Sequence, residues 1–431
     1  MNQATKSVAK PVPKVKPVLK AGSKVVSIDG GGPAYPVVSL FSGAMGLDLG
    51  LEEAGLHTAV AQDYDKWCVE TIRGNGRLAV GGDLRALVAE DPACDFLLKP
   101  GKLRAGGVFA VVGGPPCQSF STAGKRLGVD DARGTLYHQF LHVVQTLQPR
   151  FFVMENVKGL ASTPSIAGDK SSPPLLQVIL AHFKTLGYHT VHGVLDAVHY
   201  GTPQFRERMV IIGSRDNEAI FLPAPTHFHR HQNPLMRWRT LFHAIGDLHG
   251  SPSPHANFSP KINQYLGHVP EGGNWRSLPP TLVQAAMGGA YESGGGKVGF
   301  YRRLTFTEPA PTLVTSPVQK ATLLCHPRET RPLSVAEYAR IQGFPDDWKF
   351  EGKPSDCYRQ IGNAVPVPLG RAIGQMLLSV AQGDSQVRVR RMRGTSVHKG
   401  MQAAAGGAAP SPRRRTANSA NGANGANKEL F

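Results

Sequence analysis

The sequence of this protein contains the stretch Val108-Phe-Ala-Val-Val-Gly-Gly-Pro-Pro-Cys-Gln118, an apolar run followed by a turn that carries one thiol. The apolar run predicts a buried strand, and ligands bind at the ends of such strands in an open α/β sheet. Pro115 and Pro116 fix φ and remove two backbone donors, so the turn holds Cys117 in a defined direction. This presentation suits a nucleophile, although a single free cysteine is more often a buried structural residue.

Other apolar runs alternate with segments of helical period, which is the pattern of repeated βαβ units. Besides 108–112, strands are predicted at 37–41, 58–61, 151–154 and 209–212. Helices are predicted at 46–54, 66–75, 136–147, 175–186, 334–342 and 365–380. The sequence therefore predicts an α/β fold with a doubly wound sheet and a cofactor crevice at the strand ends.

The pattern changes near residue 226, where the chain becomes rich in Pro, Gly, His and Trp and loses its periodicity. Helical period returns at 334, and the apolar segment 365–380 predicts a closing helix that returns to the sheet. We therefore predict a discontinuous catalytic domain, residues 36–225 plus 355–381, with a smaller irregular domain, residues 226–354, inserted in it. Residues 1–35 and 382–431 are predicted to be disordered basic tails.

Charge and cysteine content limit the class of protein. The net charge of +17 comes mostly from the tails: residues 1–24 hold six lysines and no acid, and residues 382–431 hold nine basic residues against two acids. Such tails either solubilise a protein or attract phosphate backbones. The five cysteines form no CxxC pair, which argues against a metal site or a disulfide framework and for a reducing cytoplasm. No stretch approaches the roughly 18 apolar residues of a membrane helix, so a soluble intracellular protein is expected.

Two segments predict a nucleotide-like cofactor. The strand-to-helix turn Phe41-Ser-Gly-Ala-Met-Gly46 lets a ligand approach the backbone, although such turns are more often purely structural. The next strand is followed by Gln62-Asp-Tyr-Asp65 and, about twenty residues later, by Gly82-Asp-Leu84. An acid after the second strand commonly holds a ribose, and Tyr64 is suited to stack on a base. Each acid alone is a common helix cap, but together with the glycine turn they favour an adenosyl cofactor.

Two further segments place charged side chains next to predicted strands. Glu155 follows the apolar strand 151–154, where burial raises a carboxyl pKa and allows proton donation to a ring nitrogen near neutral pH. In an extended chain before the strand 209–212, Gln204, Arg206 and Arg208 fall on one face as a row of donors. The alternatives are a cap or salt-bridge partner for Glu155 and ordinary surface arginines.

The order of these segments resembles that of the C5-cytosine DNA methyltransferase family, over about residues 36–381. The glycine turn, Gly113–Gln118, Glu155-Asn156-Val157 and Gln204–Arg208 are similar to the family's first motif, its Pro-Cys nucleophile motif, its ENV motif and its QxRxR motif. The segments Arg331–Pro345 and Tyr358–Pro366 resemble the ninth and tenth motifs. Six matches in the family's order make coincidence negligible.

The resemblance implies a Rossmann-like S-adenosylmethionine-dependent methyltransferase fold, in which residues 226–354 form the target-recognition domain. It also implies that the enzyme acts on double-stranded DNA and needs no metal. It implies that Cys117 attacks C6 of a flipped cytosine while Glu155 protonates or hydrogen-bonds N3. Arg208 would hold the cytosine O2, Arg206 would brace the catalytic strand, and residues 119–133 would close over DNA. The positions that match the family's cofactor contacts are Phe41, Gly43, Gly46, Asp63, Tyr64, Asp83, Leu84, Pro116, Leu136 and Asn363.

Three positions depart from the family pattern: Met45 replaces the usual second glycine, Ser39 replaces an Asp, and Asp63 replaces the commoner Glu. An amino-group methyltransferase would carry an aromatic residue where Cys117 stands. A tRNA cytosine methyltransferase would have a shorter recognition region than the roughly one hundred residues between the QxRxR segment and the ninth motif. A non-catalytic DNA-binding protein on this fold would have lost Cys117 or Glu155.

The expected protein is therefore a sequence-specific DNA (cytosine-5-)-methyltransferase, either solitary or part of a restriction-modification system with a cognate endonuclease. It is expected to be a monomer in the bacterial cytoplasm, associated with the nucleoid through DNA. Arginines suited to contact bases or phosphates in the inserted region are Arg237, Arg239, Arg276, Arg302 and Arg303.

Overall fold

A computed structural model of the chain describes residues 35–116, 136–165, 171–248, 253–292 and 298–383. Cys117, the predicted loop 119–133 and the predicted tails up to residue 34 and from residue 384 lie outside the described residues. Seven strands form one sheet in the order β3-β2-β1-β4-β5-β7-β6. They are β1 (Pro36–Leu40), β2 (His57–Asp63), β3 (Ala79–Gly81), β4 (Ala110–Gly113), β5 (Phe151–Val157), β6 (His189–Asp196) and β7 (Glu207–Ser214).

The sheet is parallel from β3 to β5, whereas β7 runs antiparallel to both β5 and β6. The predicted α/β class and the five predicted strands are confirmed. Strands β3 and β6 were not predicted, because β3 has only three residues and β6 is polar and partly exposed at the sheet edge. Strand order reverses between β1 and β4, which is where such sheets open a crevice for ligands.

Twelve α-helices are assigned in the described residues, and the six predicted ones are confirmed to within two residues. Those six are α1 (Gly46–Ala54), α2 (Lys66–Gly74), α5 (Leu136–Leu147), α6 (Leu175–Thr185), α10 (Val335–Gln342) and α12 (Val367–Ala381). The others are α3 (Leu84–Glu90), α4 (Asp95–Leu98), α7 (Leu241–Ile245), α8 (Pro260–Leu266), α9 (Pro280–Met287) and α11 (Pro354–Asn363). Most of these are too short for a helical period to be visible in sequence.

The central strands bury both faces, so their residues alternate between two hydrophobic clusters. Val111 and Phe152 pack with side chains of α3 to α6, whereas Val112 and Val153 pack with side chains of α1 and α12. Burying one such side chain contributes about 1.5–3 kcal/mol. This is why the strands appear in the sequence as continuous apolar runs rather than as an alternating pattern.

Helices α1 and α12 pack backbone to backbone through glycine. A Cβ added at Gly50 would lie 2.2 Å from the Val367 carbonyl oxygen, and one at Gly370 would lie 2.6 Å from the Leu47 carbonyl oxygen. The stretch Pro354–Ala381 is, by length and composition alone, apolar enough to cross a membrane, contrary to the expectation that no stretch approaches that limit. It comprises α11 and α12, and more than half of its most apolar part is buried, as in a core helix.

The irregular region contains a hydrophobic cluster of its own. Phe258, Leu266, Met287, Tyr301 and Leu323 belong to a cluster whose members all lie between residues 258 and 325. Side chains of α7 and α10 instead pack with those of α1 and α2 in a separate cluster. The region therefore has both a local core and a face that continues the core of the sheet.

The described fold begins and ends at the amino edge of the parallel strands. Tyr35 precedes β1, and its ring lies 4.9 Å from that of Phe109, which precedes β4. Arg150 precedes β5 and donates a 3.2 Å hydrogen bond to the carbonyl of Ala381, the last residue of α12. Both ends of the fold are thus attached to the same side of the sheet.

Candidate active site

The loops that follow β1, β4 and β5 meet at the carboxyl edge of the sheet. Leu40 pairs with Gly113, and Gly113 pairs with Met154, so β1 and β4 end at the same level and β5 continues to Val157 beside them. A cavity of about 560 Å³ opens at this edge, which is within the range of small-molecule and cofactor sites. The glycine turn, the double-proline turn and the ENV segment therefore face one space.

Most of the predicted site residues border this cavity. Its lining includes Phe41, Gly43, Asp63, Tyr64, Pro116, Glu155, Arg206, Arg208 and Asn363. Four other predicted residues are placed elsewhere in the described fold. Gly46 begins α1 against the Val365 carbonyl, Asp83 caps α3 and pairs with Arg85 at 2.5 Å, Leu84 is in the core, and Leu136 begins α5.

Asp63 joins the end of β2 to the glycine turn. Its carboxylate accepts a 2.8 Å hydrogen bond from the Gly43 N–H and another of 2.8 Å from the Asp65 N–H. Burial raises the pKa of Asp63, and these two donors oppose the rise. A Cβ added at Gly43 would meet no atom within 4 Å, so the turn presents open backbone to the cavity. An acid and an open glycine turn fit the ribose and amino-acid portions of an adenosyl cofactor.

The glycine turn also explains the departure at Met45. Phe41, Gly43 and Met45 have φ values of 53°, 55° and 66°, in the left-handed region. This conformation favours glycine, which is why the family usually has a glycine where this chain has Met45. The Met45 side chain is fully buried in the cluster beside α2, so packing offsets the backbone strain.

Met45→Gly is expected to be more stable than Met45→Ala by about 1 kcal/mol, the reverse of the usual order inside structured segments. Both variants lose the buried side chain, at about 2–5 kcal/mol, but only glycine relieves the left-handed strain. Urea unfolding of both variants measures the difference. The matched pair Leu51→Ala and Leu51→Gly, at a buried position inside α1, should keep the usual order. If alanine is the more stable residue at both positions, backbone strain at Met45 is not the reason.

Glu155 and Arg208 form a nearly buried ion pair at the cavity. Arg208 Nε lies 2.6 Å from Glu155 Oε1, and the side chains are 12% and 13% exposed. Burial raises the pKa of Glu155, while Arg208 and, less directly, Arg206 favour its charged form. A Cβ at Gly114 would lie 2.9 Å from Glu155 Oε2, so glycine lets the turn after β4 lie against the carboxylate. The pair places a proton-exchanging group beside the turn that leads to Cys117.

Asn156 was not predicted as a site residue, yet it fixes the double-proline turn. Its side-chain N–H donates a 2.9 Å hydrogen bond to the Pro115 carbonyl, and its own oxygen accepts from the Val157 N–H at 2.9 Å. Asn156 is buried. Because Pro115 lies two residues before Cys117, Asn156 ties the ENV segment to the backbone that carries the thiol.

The predicted row of donors is only partly observed, because Gln204 and Arg206, which precede β7, hydrogen-bond to other segments rather than to Glu155. The Arg206 guanidinium is buried and donates to the carbonyls of Leu313 and Gly362, at 3.0 and 2.7 Å. Gln204 donates to Gln342 at 3.0 Å and accepts from the Leu313 N–H at 2.8 Å. Only Arg208 of the three pairs with Glu155, whereas the other two join the QxRxR segment to the ninth and tenth motifs.

Arg359, which was also not predicted, closes the cavity from the α11 side. It forms an ion pair with Asp65, the N-cap of α2, and another of 2.9 Å with Asp356. Tyr64 stands beside this bridge at the rim with 69% of its surface exposed. The charged pattern Asp65 to Arg359 spans most of the chain, so no local sequence signal reveals it.

A buried carboxyl lies beneath the glycine turn. Asp48 accepts from Thr58 Oγ1 at 3.3 Å, and its Oδ2 has no hydrogen-bond partner among the described residues. The Ser39 hydroxyl favours the charged form of Asp48. Ser42 in turn donates to Ser39 at 2.8 Å. Burial raises the pKa of Asp48 to about 6. The departure at Ser39 thus supplies a hydroxyl that links the turn to Asp48.

Asp48→Asn is expected to gain stability relative to the native chain as pH rises from about 4 to about 7. A carboxyl whose pKa is higher in the folded state binds more protons there, so its contribution falls as pH rises through this window. The change amounts to about 3 kcal/mol once Asp48 is ionised. Unfolding free energies of both chains at several pH values test this. Glu70→Gln, at an exposed position of α2, is the control, and a pH-independent difference for Asp48→Asn would contradict the expectation.

Two arginines predicted as DNA contacts have structural roles instead. Arg303 is buried and donates to the carbonyls of Leu266, Val269 and His326. Arg302 is half-buried and donates to the Leu323 carbonyl at 3.0 Å. Arg303 is therefore not accessible to DNA, and its charge stabilises the local core of the irregular region.

A seven-stranded sheet of this order with a cofactor-sized cavity at its carboxyl edge defines the α/β S-adenosylmethionine-dependent methyltransferase fold. Residues 35–379 match the family model described as C-5 cytosine-specific DNA methylase. The chain belongs to this family, which confirms the resemblance, and it is a DNA cytosine methyltransferase.

Known relatives agree with this assignment. The chain is 38% identical over 355 residues to the type II methyltransferase M.PspPI of Psychrobacter, covering 80% of this chain and 79% of the relative. It is 39% identical over 346 residues to M.Sau96I of Staphylococcus aureus, covering 80% and 76%. Two solved structures share the fold. One is a proposed DNA modification methyltransferase from an Escherichia coli prophage, with a TM-score of 0.53 and 24% identity, covering 81% of this chain and 100% of that one. The other is a mutant of Spodoptera frugiperda DNMT2, with a TM-score of 0.51 and 18% identity, covering 80% of this chain and 100% of that one.

Proposed function

We propose that this chain methylates C5 of cytosine within one short DNA sequence, with Cys117 as nucleophile and Glu155 as proton donor. The observation that carries the proposal is the Glu155–Arg208 pair, which lies against Gly114 of the double-proline turn, three residues before Cys117 in the sequence. The turn is held by Asn156 and by its own prolines. A buried carboxyl and a guanidinium border one cavity, and Pro116, the residue before Cys117 in the sequence, also lines it. This supports the group of functions that attack on a heterocyclic base requires.

The chemistry assigns a separate atom of the cytosine ring to each residue. The Cys117 thiolate bonds to C6, and the electrons of the C5–C6 double bond are drawn toward N3, where Glu155 supplies a proton or a hydrogen bond. Arg208 holds Glu155 and donates to the cytosine O2. C5 then accepts the methyl group, and the electrons of the broken bond stay on the sulfonium sulfur of the donor. The C5 proton leaves to solvent, the bond from the Cys117 sulfur to C6 breaks, and N3 returns its proton to Glu155. The target base is flipped out of the duplex, because these atoms are not accessible in stacked DNA.

S-adenosyl-L-methionine supplies the methyl group when it is bound at the cavity. The open backbone at Gly43, the Asp63 carboxylate and the rim tyrosine Tyr64 are the residues suited to hold its polar and aromatic parts. Asn363 and Phe41 also line the cavity. We assign Arg206 the part of a positioning residue, since it braces the QxRxR segment by donating to the Leu313 and Gly362 carbonyls.

Target choice is assigned to residues 226–354, which contain a local hydrophobic cluster outside the sheet. Curated relatives are type II methyltransferases, so we propose a role in restriction-modification, with or without a cognate endonuclease for the same site. The protein would act as a monomer on DNA in the bacterial cytoplasm.

Bisulfite sequencing of plasmid DNA tests the proposal directly. A host without cytosine methylation would express either this chain or its Cys117→Ala variant. Methylation at one short motif, absent with the variant, is the expected result and would identify the target sequence as well. Unmodified DNA from cells that contain folded, S-adenosylmethionine-binding protein would contradict the DNA assignment and favour an RNA substrate.

A further inference from the structure

A second cavity, of about 420 Å³, opens in the inserted region beside the segment that precedes β7. Three arginines line it, Arg230, Arg237 and Arg239, and all three are exposed. Three histidines and Trp238 also line it, whereas Glu308 is its one acidic lining residue. The cavity is therefore a concave, strongly basic feature that the proposed chemistry does not use.

A closed loop, residues 228–238, forms much of the cavity wall, and its two ends are joined by a parallel bridge between Phe228 and Arg237. The Phe228 N–H donates to the Met236 carbonyl at 2.7 Å, and the Trp238 N–H donates back to the Phe228 carbonyl at 2.9 Å. The Trp238 ring packs edge-on against that of Phe205 at 5.3 Å. Phe205 directly precedes Arg206, which lines the cofactor cavity. The loop 228–238 thus holds the basic cavity next to the edge where the reaction is proposed to occur.

The positive charge at this cavity is not neutralised within the described part of the chain. Arg230, Arg237 and Arg239 form no ion pair there, in contrast to Arg331 and Arg340, which pair with carboxylates at 2.9 and 2.5 Å. Burial, with a contribution from Arg239, lowers the pKa of His227 and His243. The arginines are therefore the cations at neutral pH, and an anionic ligand would supply the missing partner.

We propose that this cavity binds a backbone phosphate of the DNA duplex close to the target cytosine; this rests on the proposed DNA substrate. Arginine forks match the oxygens of a phosphate, and all three arginines of this wall are exposed. Residues that read a base must project into a groove, whereas these surround a hollow into which a phosphate can enter. The cavity therefore sets the position of the duplex without selecting its sequence.

The salt dependence of DNA binding by the full chain tests this inference. Fluorescence anisotropy would measure the affinity of the chain for two unmethylated duplexes of about 30 base pairs, between about 50 and 200 mM salt. One duplex contains the sequence that the enzyme methylates, and the other does not. For Arg237→Ala/Arg239→Ala we expect a plot of log affinity against log salt that is shallower by about 0.9 for each lost phosphate contact. Affinity should fall by the same factor for both duplexes. Arg237→Lys/Arg239→Lys keeps the charge and should restore most of the slope.

Arg104→Ala is the matched control, because Arg104 is exposed, unpaired among the described residues and located before β4 at the opposite edge. A slope change equal to that of Arg104→Ala would overturn the inference. The inference would also be overturned if affinity fell only for the duplex that contains the motif while the slope of log affinity against log salt stayed unchanged, since that pattern indicates base recognition. Methylation by the native chain is scored separately: a native chain without activity but with the expected slopes would refute the proposed function and leave the phosphate site supported. Thermal melting of each variant verifies folding.

Discussion

Glu155→Gln is expected to lower kcat for cytosine methylation by about 10²- to 10⁴-fold, the usual contribution of a positioned proton donor. Glutamine keeps the shape of the side chain and still reaches the cytosine N3. It cannot transfer a proton, and it leaves Arg208, 2.6 Å away, without its anionic partner. DNA affinity should change much less than kcat, because the loss arises in the transition state.

Single-turnover methyl transfer from labelled S-adenosylmethionine to a duplex with the identified motif measures this effect. Glu52→Gln is the matched control, since burial raises the pKa of Glu52 to about 7 while the side chain pairs with Arg77 away from the cavity. The control should retain full activity. A Glu155→Gln chain within about threefold of the native rate would exclude Glu155 from the chemical step.

Cys117→Ser is expected to reduce turnover by about 10⁴-fold or more, because a serine hydroxyl remains protonated at neutral pH and is a far weaker nucleophile than a thiolate. A duplex with 5-fluorocytosine at the target should trap the native chain covalently. Release of the enzyme requires loss of the C5 hydrogen as a proton, and a fluorine atom in its place cannot be lost as a cation. The serine variant should form no such adduct. Gel electrophoresis of the protein–DNA mixture under denaturing conditions shows the adduct directly.

Cys94→Ser is the control for the nucleophile. Cys94 is buried between α3 and α4, and burial raises the pKa of its thiol to about 11. This thiol is therefore not a nucleophile at neutral pH, and its replacement should leave both turnover and adduct formation intact. Adduct formation by Cys117→Ser but not by Cys94→Ser would show that Cys94, and not Cys117, is the nucleophile.

Local sequence patterns predicted the parts of the site that follow directly from a strand. Glu155 and Pro116 each follow a long apolar run, and the structure places both at one cavity. Their convergence needs only the rule that parallel strands end at one edge of the sheet. The left-handed backbone at Met45 was not predicted. The signal for it was present, because the family usually has a glycine at this position and glycine adopts that conformation readily.

Contacts between residues far apart in the sequence were not predicted, even where one of the two residues was. Gln204 bonds to Gln342, and Arg206 bonds to Gly362, over separations of more than one hundred residues. These partners follow from how α10 and α11 pack onto the sheet, which periodicity does not determine. Strand β6 was missed for a related reason, because an exposed edge strand lacks the apolar run that marks its neighbours. The assignment of individual residues to cofactor and base remains a prediction.

The attachment of Tyr35 and Ala381 to the amino edge of the sheet has a consequence for protein engineering. A fusion partner joined at either end of the fold would start at the amino edge of the sheet. The cavity that holds the proposed active site, here called the cleft, lies at the carboxyl edge, at least the length of a strand away. For a seven-residue strand such as β5, that length is about 23 Å. A linker that brings a DNA-targeting module to the cleft must span this distance and pass around a helical layer. The same geometry allows the two ends to be joined by a short connection, so that new termini can be opened elsewhere in a circularly permuted enzyme.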